Sequence, residues 1–267
     1  MTITTGFIGL GSQGGPMAER MLAGGFPLMV WARRPEALEP FVEQGATLAG
    51  SVAELAAACD HIGVCVVDDA GVSQICDQLI PAMREGSLLA IHSTILPESC
   101  EALERRCAER GIRLLDAPVS GGGGAAAAGT LTVMCGGSAE AFAQAQPVLA
   151  TFAGTLVHLG GAGSGQRAKI VNNALMAANM GLAHAALGAG QALGIDRAAL
   201  ADLIKASSGR SFGFEVYARL PAPSAFAHGA PLLRKDVNLL KAILPAHDGT
   251  QALADAADPF LSAATGA

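Results

Sequence analysis

Aromatic side chains are scarce in this chain of 267 residues: they make up 4%, with one Trp and one Tyr. Charged residues are few as well, at 15%, and the net charge of -6 comes without any long basic run. That excludes the concentrated basic face on which nucleic-acid binding depends. No two of the six cysteines (Cys59, Cys65, Cys76, Cys100, Cys107 and Cys135) stand at CxxC spacing. No Cys/His cluster has zinc-ligand spacing either, so no metal is expected and the thiols read as free ones in a reducing compartment. A clean apolar run long enough for a membrane span is also missing. The best stretch, Ala174 to Ala192, is interrupted by Asn179, His184, Gln191 and several glycines, and reads as a buried helix. The opening Met-Thr-Ile-Thr-Thr carries no positive region and no apolar signal core, so a cytoplasmic protein is expected.

What the chain does have is small and apolar: hydrophobic residues reach 51%, much of that Ala, beside 34 Gly. A sizeable core can be buried on that balance, and helices can pack closely through small side chains. In the first half, short apolar runs alternate with helical patterns. Strands are expected at Ile3 to Ile8, Pro27 to Trp31, His61 to Val67, Ser87 to His92 and Arg113 to Leu115, with others at Leu131 to Cys135 and Thr155 to Leu159. Helices are expected at Gly14 to Ala23, Pro35 to Gln44, Ser51 to Ala58, Val72 to Met83 and Pro97 to Arg110. Ser51 reads as the cap of its helix, with Glu54 reaching back. Such alternation implies βαβ units. Strands without a polar face, such as Ile62 to Val67, fit a mostly parallel sheet covered on both sides.

The texture changes at Gly160-Gly161-Ala162-Gly163-Ser164-Gly165, a glycine-rich hinge. Beyond it lie a long Ala-rich helix, Gln166 to Leu193, a second at Arg197 to Lys205, a turn-rich segment from Pro221 to Pro231 and a helix from Leu233 to Leu244. No strand signal recurs. The fold class expected is α/β, a Rossmann-type doubly wound parallel sheet in residues 1–160, followed by an all-α domain in residues 161–267.

Gly9-Leu10-Gly11-Ser12-Gln13-Gly14 matches G-x-G-x-x-G between the first strand and the first helix. Gly9 permits a tight turn, Gly11 lets backbone approach a pyrophosphate, and Gly14 permits close helix–strand packing. The helix N-terminus behind them offers N–H groups to phosphate. After the second strand, Trp31 is followed by Ala32-Arg33-Arg34 and no carboxylate. A carboxylate there would bond the ribose hydroxyl of NAD, whereas Arg33 and Arg34 can grip a 2′-phosphate, so NADP is favoured with NAD still possible.

Three further segments carry a resemblance. Asp116-Ala117-Pro118-Val119-Ser120-Gly121-Gly122, continuing to Gly129-Thr130-Leu131-Thr132-Val133-Met134, is similar to the substrate-binding signature of the β-hydroxyacid dehydrogenases. Gly163-Ser164-Gly165-Gln166-Arg167-Ala168-Lys169-Ile170-Val171-Asn172-Asn173 resembles their catalytic signature, and Lys235-Asp236 their C-terminal cofactor contact. The chain thus resembles the 3-hydroxyisobutyrate dehydrogenase group, related to 6-phosphogluconate dehydrogenase, from residue 3 to about residue 245. The resemblance implies a Rossmann domain followed by a helical domain. It gives Lys169 proton transfer and gives Asn173 the orienting of substrate. It also places Thr94, Val66, Val67 and Lys235 at the cofactor. The pattern departs from the family's at Gln13, where Met is frequent, and at Val66-Val67, where Leu-Pro is frequent. The family's Gly- and Asp-containing tail is not evident after Pro259, so no last helix is assigned there.

The chemistry follows from the residue types. Ser120-Gly121-Gly122 offers a hydroxyl and unobstructed backbone N–H groups, a turn suited to a substrate carboxylate. Lys169, Asn172 and Asn173 stand at i, i+3 and i+4 and share a helix face. A lysine beside a hydroxyl-bearing carbon can pass the alcohol proton while hydride moves to a nicotinamide. The expected activity is hydride transfer between NADP and a small hydroxy acid or semialdehyde. Candidate substrates are 3-hydroxyisobutyrate, glycerate with tartronate semialdehyde, and 4-hydroxybutyrate with succinic semialdehyde. Short-chain dehydrogenase chemistry is not expected, because the only tyrosine, Tyr217, lacks a lysine four residues on. Two other readings remain beside this one: an imine reductase-like enzyme, against which Lys169 argues, and a non-catalytic NADP-binding regulator, which has no need of Ser120, Lys169 and Asn173 together. The long Ala/Gly-rich helix and the family resemblance point to a homodimer or homotetramer.

Overall fold

The computed structural model describes Ile3 through Gly266. Six parallel strands form the principal sheet: β1 (Thr5–Ile8), β2 (Leu28–Trp31), β3 (Thr47–Leu48), β4 (His61–Val64), β5 (Leu88–Ile91) and β6 (Arg113–Asp116). Their order is β3-β2-β1-β4-β5-β6. This is the doubly wound order in which the chain reverses direction beside β1, where open α/β sheets bind ligands. The helices between them are α1 (Gly14–Ala23), α2 (Glu39–Glu43), α3 (Val52–Ala58), α4 (Asp69–Ala82) and α5 (Pro97–Ala108).

Alternate strand residues serve opposite faces, and both faces are covered. Phe7, Leu88, Ala90 and Leu115 pack with Met17, Met21 and Phe152 on one side. Ile8, Ile62, Val64, Leu89 and Ile91 pack with Leu55, Leu79 and Leu103 on the other. Double coverage explains the absence of polar alternation along these strands. The cap of α3 forms as its sequence implies: Ser51 Oγ accepts the Glu54 N–H at 3.1 Å. The Glu54 carboxylate reaches one residue further than the usual box, to the Gly50 N–H at 2.7 Å.

A smaller sheet of three strands, β7 (Val119–Ser120), β8 (Leu131–Cys135) and β9 (Ala153–His158), follows β6. β7 runs antiparallel to β8, and β8 parallel to β9. Two helices that sequence patterning does not signal are built into it: α6 (Gly122–Ala128) and α7 (Ala139–Leu149).

The chain divides into two compact units, the first ending at Lys169 and the second beginning at Ile170. Helix α8 (Ser164–Ala192) starts in the first and continues into the second. The second unit adds α9 (Arg197–Lys205), α10 (Phe212–Ala218), α11 (Ala230–Ile243) and α12 (Asp248–Thr265), and no strand occurs in it among the described residues. Its core gathers Ile170, Met180, Leu187, Phe214, Tyr217, Leu240 and Phe260. Helix α12 runs through Pro259, where no last helix was assigned from sequence. It crosses α8 so closely that a Cβ on Gly181 would lie 1.7 Å from the Ala256 carbonyl oxygen. No helix among the described residues is long and apolar enough to cross a membrane.

Candidate functional site

The glycine loop leaves β1 and turns into α1. Gly9 has φ +101°, and a Cβ on it would stand 2.1 Å from the Cys65 carbonyl oxygen at the end of β4. Gly14 is buried, and a Cβ there would meet the Gly9 carbonyl oxygen at 2.0 Å. Around the Gly11 Cβ position, by contrast, no atom lies within 4 Å. Two glycines therefore draw backbone together, and the third keeps backbone open to a ligand. No side chain caps α1, since Gln13 stands at the cap position without a cap bond. In its first turn Gly15 already donates to the Gly11 carbonyl at 2.8 Å and Pro16 has no N–H, which leaves the Gly14 N–H for a phosphate.

Beside the loop is a cavity of about 400 Å³, lined by Gly9, Leu10, Gly11, Trp31, Arg33, Arg34, Val66, Val67, Gln74 and Ile75 among others. Both arginines are exposed, and neither guanidinium makes a hydrogen bond or ion pair among the described residues. The cavity suits the adenosine half of a dinucleotide, with apolar walls for the base and two cations at its mouth. Ser12, Gln13, Gly14 and Thr94 do not line it. Thr94 sits half-buried beyond the end of β5.

The Ser120 turn also belongs to the first unit. Ser120 ends β7, and Gly121 and Gly122 follow at φ +133° and +75°, a path that favours glycine. Gly122 then opens α6, whose next residue presses on the glycine loop: a Cβ on Gly123 would stand 2.4 Å from the Ser12 carbonyl oxygen. The folded chain thus brings the Gly9 loop and the Ser120 turn together, although more than 100 residues separate them.

Lys169 is the last residue of the first unit, on α8, and is 9% exposed. The start of α8 is anchored by a residue to which the sequence motif gives no role. Asp116, fully buried at the end of β6, accepts the Gly163 N–H on Oδ1 at 2.7 Å and the Gln166 N–H on Oδ2 at 2.9 Å. Burial pushes the Asp116 carboxyl up to about 6, while these N–H donors pull it down. Gln166 was likewise unassigned, and its fully buried side chain ties the helix to the end of β5. Its Nε2 donates to the Ser93 carbonyl at 2.8 Å, and its Oε1 accepts the Ile95 N–H at 3.1 Å. Ser93 Oγ in turn accepts the Val66 N–H at 2.8 Å, so the network reaches the cofactor cavity.

In the second unit, Asn172 is exposed and donates to Asn173 Oδ1 at 3.2 Å. The Asn173 amide donates to Asp236 Oδ2 at 2.5 Å. A carboxylate only accepts, so Asp236 fixes which end of the Asn173 amide faces it. Lys235 approaches the other oxygen of Asp236, Nζ to Oδ1, at 3.4 Å. No group of three or more His, Cys, Asp or Glu able to hold a metal occurs among the described residues.

Comparison with known proteins identifies the family. Residues 4–160 match the model for the NAD-binding domain of 6-phosphogluconate dehydrogenase, and residues 163–266 match that for the NAD-binding region of NADP-dependent 3-hydroxyisobutyrate dehydrogenase. L-Threonate dehydrogenase of Cupriavidus necator is 39% identical over 219 residues, covering 80% of this chain and 74% of its own. Mycobacterium tuberculosis 3-hydroxyisobutyrate dehydrogenase, solved with L-serine, superposes with a TM-score of 0.86 at 28% identity, covering 97% of this chain and 93% of its own. Psf3, solved with NADP+ and 2-OPP, gives 0.83 at 29%, covering 96% and 93%. With two family models spanning nearly the whole length and a glycine loop shaped for a dinucleotide, the chain belongs to the β-hydroxyacid dehydrogenase family and is an NAD(P)-dependent oxidoreductase of that kind.

Proposed function

We propose that this enzyme oxidises a small carboxylate-bearing hydroxy acid at its alcohol carbon, or reduces the matching semialdehyde, with NADP preferred over NAD. The observation that carries this reading is the burial of Lys169, on a helix whose start is tied to the ends of β5 and β6 in the unit that holds the glycine loop. When bound, the nicotinamide supplies the hydride acceptor or donor. Gly9, Leu10, Gly11, Ser12, Gln13 and Gly14 cradle its phosphates, Val66, Val67, Thr94 and Lys235 line its path, and Arg33 and Arg34 hold the 2′-phosphate. Ser120, Gly121 and Gly122, with Asn172, hold the substrate carboxylate and neighbouring oxygens. Lys169 takes the alcohol proton during oxidation and returns it during reduction, and Asn173, one turn along α8, orients the substrate. Lys169 and Ser120 together favour the dehydrogenase over an imine reductase-like enzyme or a non-catalytic NADP-binding regulator.

The same reading assigns residues 1–160 to dinucleotide binding and residues 161–267 to a helical substrate and oligomerisation domain. Val171, Leu175 and Leu182 are each at least half exposed on α8, an apolar face suited to a second copy in a homodimer or homotetramer. A cytoplasmic enzyme fits the free thiols. The test is a panel of 3-hydroxyisobutyrate, glycerate, 4-hydroxybutyrate and L-threonate with NADP+ and with NAD+, followed by the absorbance of the reduced nicotinamide. Turnover of at least one acid, faster with NADP+, is expected. Cofactor binding without turnover across the panel and the matching semialdehydes would favour the regulator.

A further inference from the structure

Proton transfer by Lys169 requires that its ammonium group be held in place, and the first turn of α8 has an unusual anchor. We propose that Asp116 is a positioning residue for Lys169, acting through the backbone of that turn; the inference rests on the acid–base reading above. Asp116 joins three pieces of chain at once. Its main chain exchanges two hydrogen bonds with Gly136 at the end of β8, at 2.9 and 2.8 Å. Its two carboxylate oxygens accept separate N–H groups of the α8 start, from Gly163 and Gln166. Two neighbouring glycines leave room for it. A Cβ on Gly136 would stand 2.5 Å from Asp116 Oδ1, and one on Gly165 would stand 2.8 Å from Oδ2 and 2.3 Å from the Met134 carbonyl oxygen.

A carboxylate at a helix start satisfies N–H groups that have no partner within the helix, and its charge opposes the helix dipole favourably. A neutral cap such as Ser or Asn does the first at a lower desolvation cost. What a carboxylate adds is two acceptor oxygens with no donor. With both engaged, the turn is pinned in translation and in rotation about the helix axis. Lys169 lies three residues beyond Gln166, and its side chain is buried, so its reach is set by that turn. A misplacement of about 1 Å at a reacting group costs up to ~10²-fold in rate.

The test is a double-mutant cycle on the full-length enzyme with NADP+ and the hydroxy acid of the panel turned over fastest, using Asp116→Asn, Asp116→Ala and Lys169→Ala. Asp116→Asn should lower kcat by about ten- to hundredfold while KM for NADP+ stays within about twofold. Asp116→Ala should lose more, because Asn keeps one acceptor. In the Lys169→Ala background Asp116→Asn should cost nothing further. Hydrogen exchange of the segment 161–169 should quicken in Asp116→Asn, with the rest of the first unit unchanged. An equal fractional loss in the Lys169→Ala background would overturn the inference, as would an Asp116→Asn enzyme with normal kcat beside an inactive Lys169→Ala. If Lys169→Ala itself turns over normally, the acid–base reading fails and takes this inference with it, a result distinct from the other two.

Discussion

At the scale of single residues, the proposed cofactor preference rests on Arg33 and Arg34. Arg33 and Arg34 stand where a ribose-binding carboxylate is absent, and their guanidinium groups face solvent at the mouth of the cavity. Arg33→Ala should lower kcat/KM with NADP by roughly ten- to hundredfold, the loss of a charged hydrogen bond worth about 1.5–3 kcal/mol. The value with NAD should be nearly unchanged, and steady-state kinetics with both cofactors checks this; an equal loss with both would contradict it. Gly123 makes a different point. In the sequence it is one of four consecutive glycines, with nothing to mark it. In the fold it is the glycine that meets the Ser12 carbonyl, so Gly123→Ala should raise KM for the cofactor by displacing the loop. An unchanged KM would show that α6 gives way instead. The turn at Gly9 and the close packing at Gly14 were legible in the sequence because a motif fixes their spacing. Asp116 was not, because its partners lie 47 and 50 residues away and only the fold brings them together.

At the scale of elements, the parallel sheet was read correctly because its strands are short, apolar and regularly separated by helices. The elements that were missed have weak local signals. Helix α6 opens on three glycines, each costing about 1 kcal/mol in a helix interior. It forms because packing against α1 and β8 outweighs that propensity. Helices α7 and α12 each contain a proline, Pro147 and Pro259, which reads as a breaker. The long α8 was anticipated, and its glycines separate into two kinds that the sequence cannot distinguish. Gly181 lies against α12, whereas no atom approaches the Cβ position of Gly188. Gly181→Ala should therefore destabilise the protein by at least about 1–3 kcal/mol. Gly188→Ala should stabilise it by roughly 0.5–1 kcal/mol. Denaturant unfolding of the two variants checks the opposite signs.

For the whole molecule, two buried histidines tie stability to pH. Burial holds His61 down to about 3, helped by His92 nearby, and holds His92 down to about 4 against the opposing effect of the Ala117 carbonyl. That carbonyl lies 2.8 Å from His92 Nδ1 and can only accept, so the neutral ring carries its proton there. Both histidines have folded values below the unfolded 6.5, so their contribution is complete above about pH 6.5 and is lost as pH falls through 4 and 3. Asp116 runs the other way: raised from 3.8 to about 6, it favours the fold most below 3.8 and loses that contribution as pH rises through 6. The melting temperature should drop on acidification from about pH 6.5 towards 4, where two histidines lose their contribution while Asp116 alone gains one. Neither imidazole should titrate between about pH 5 and 8 by proton NMR. An inflection near neutrality from either ring would contradict the burial argument. Light scattering at micromolar concentration should give a dimer or tetramer mass, and Leu182→Glu, which charges the exposed face of α8, should shift it towards monomer.

The central claim is that Lys169 moves the alcohol proton, and the most direct measurement is turnover of Lys169→Ala and Lys169→Arg beside wild type, with NADP binding measured separately by titration. General acid–base help of this kind is worth ~10²–10⁴-fold. Lys169→Ala should lose at least that much in kcat while binding NADP normally, since the proposed phosphate cradle is the glycine loop. Lys169→Arg should also fail in the oxidative direction, because a guanidinium keeps its proton at working pH. A Lys169→Ala enzyme with near-normal kcat would contradict the account and move the proton donor to another group.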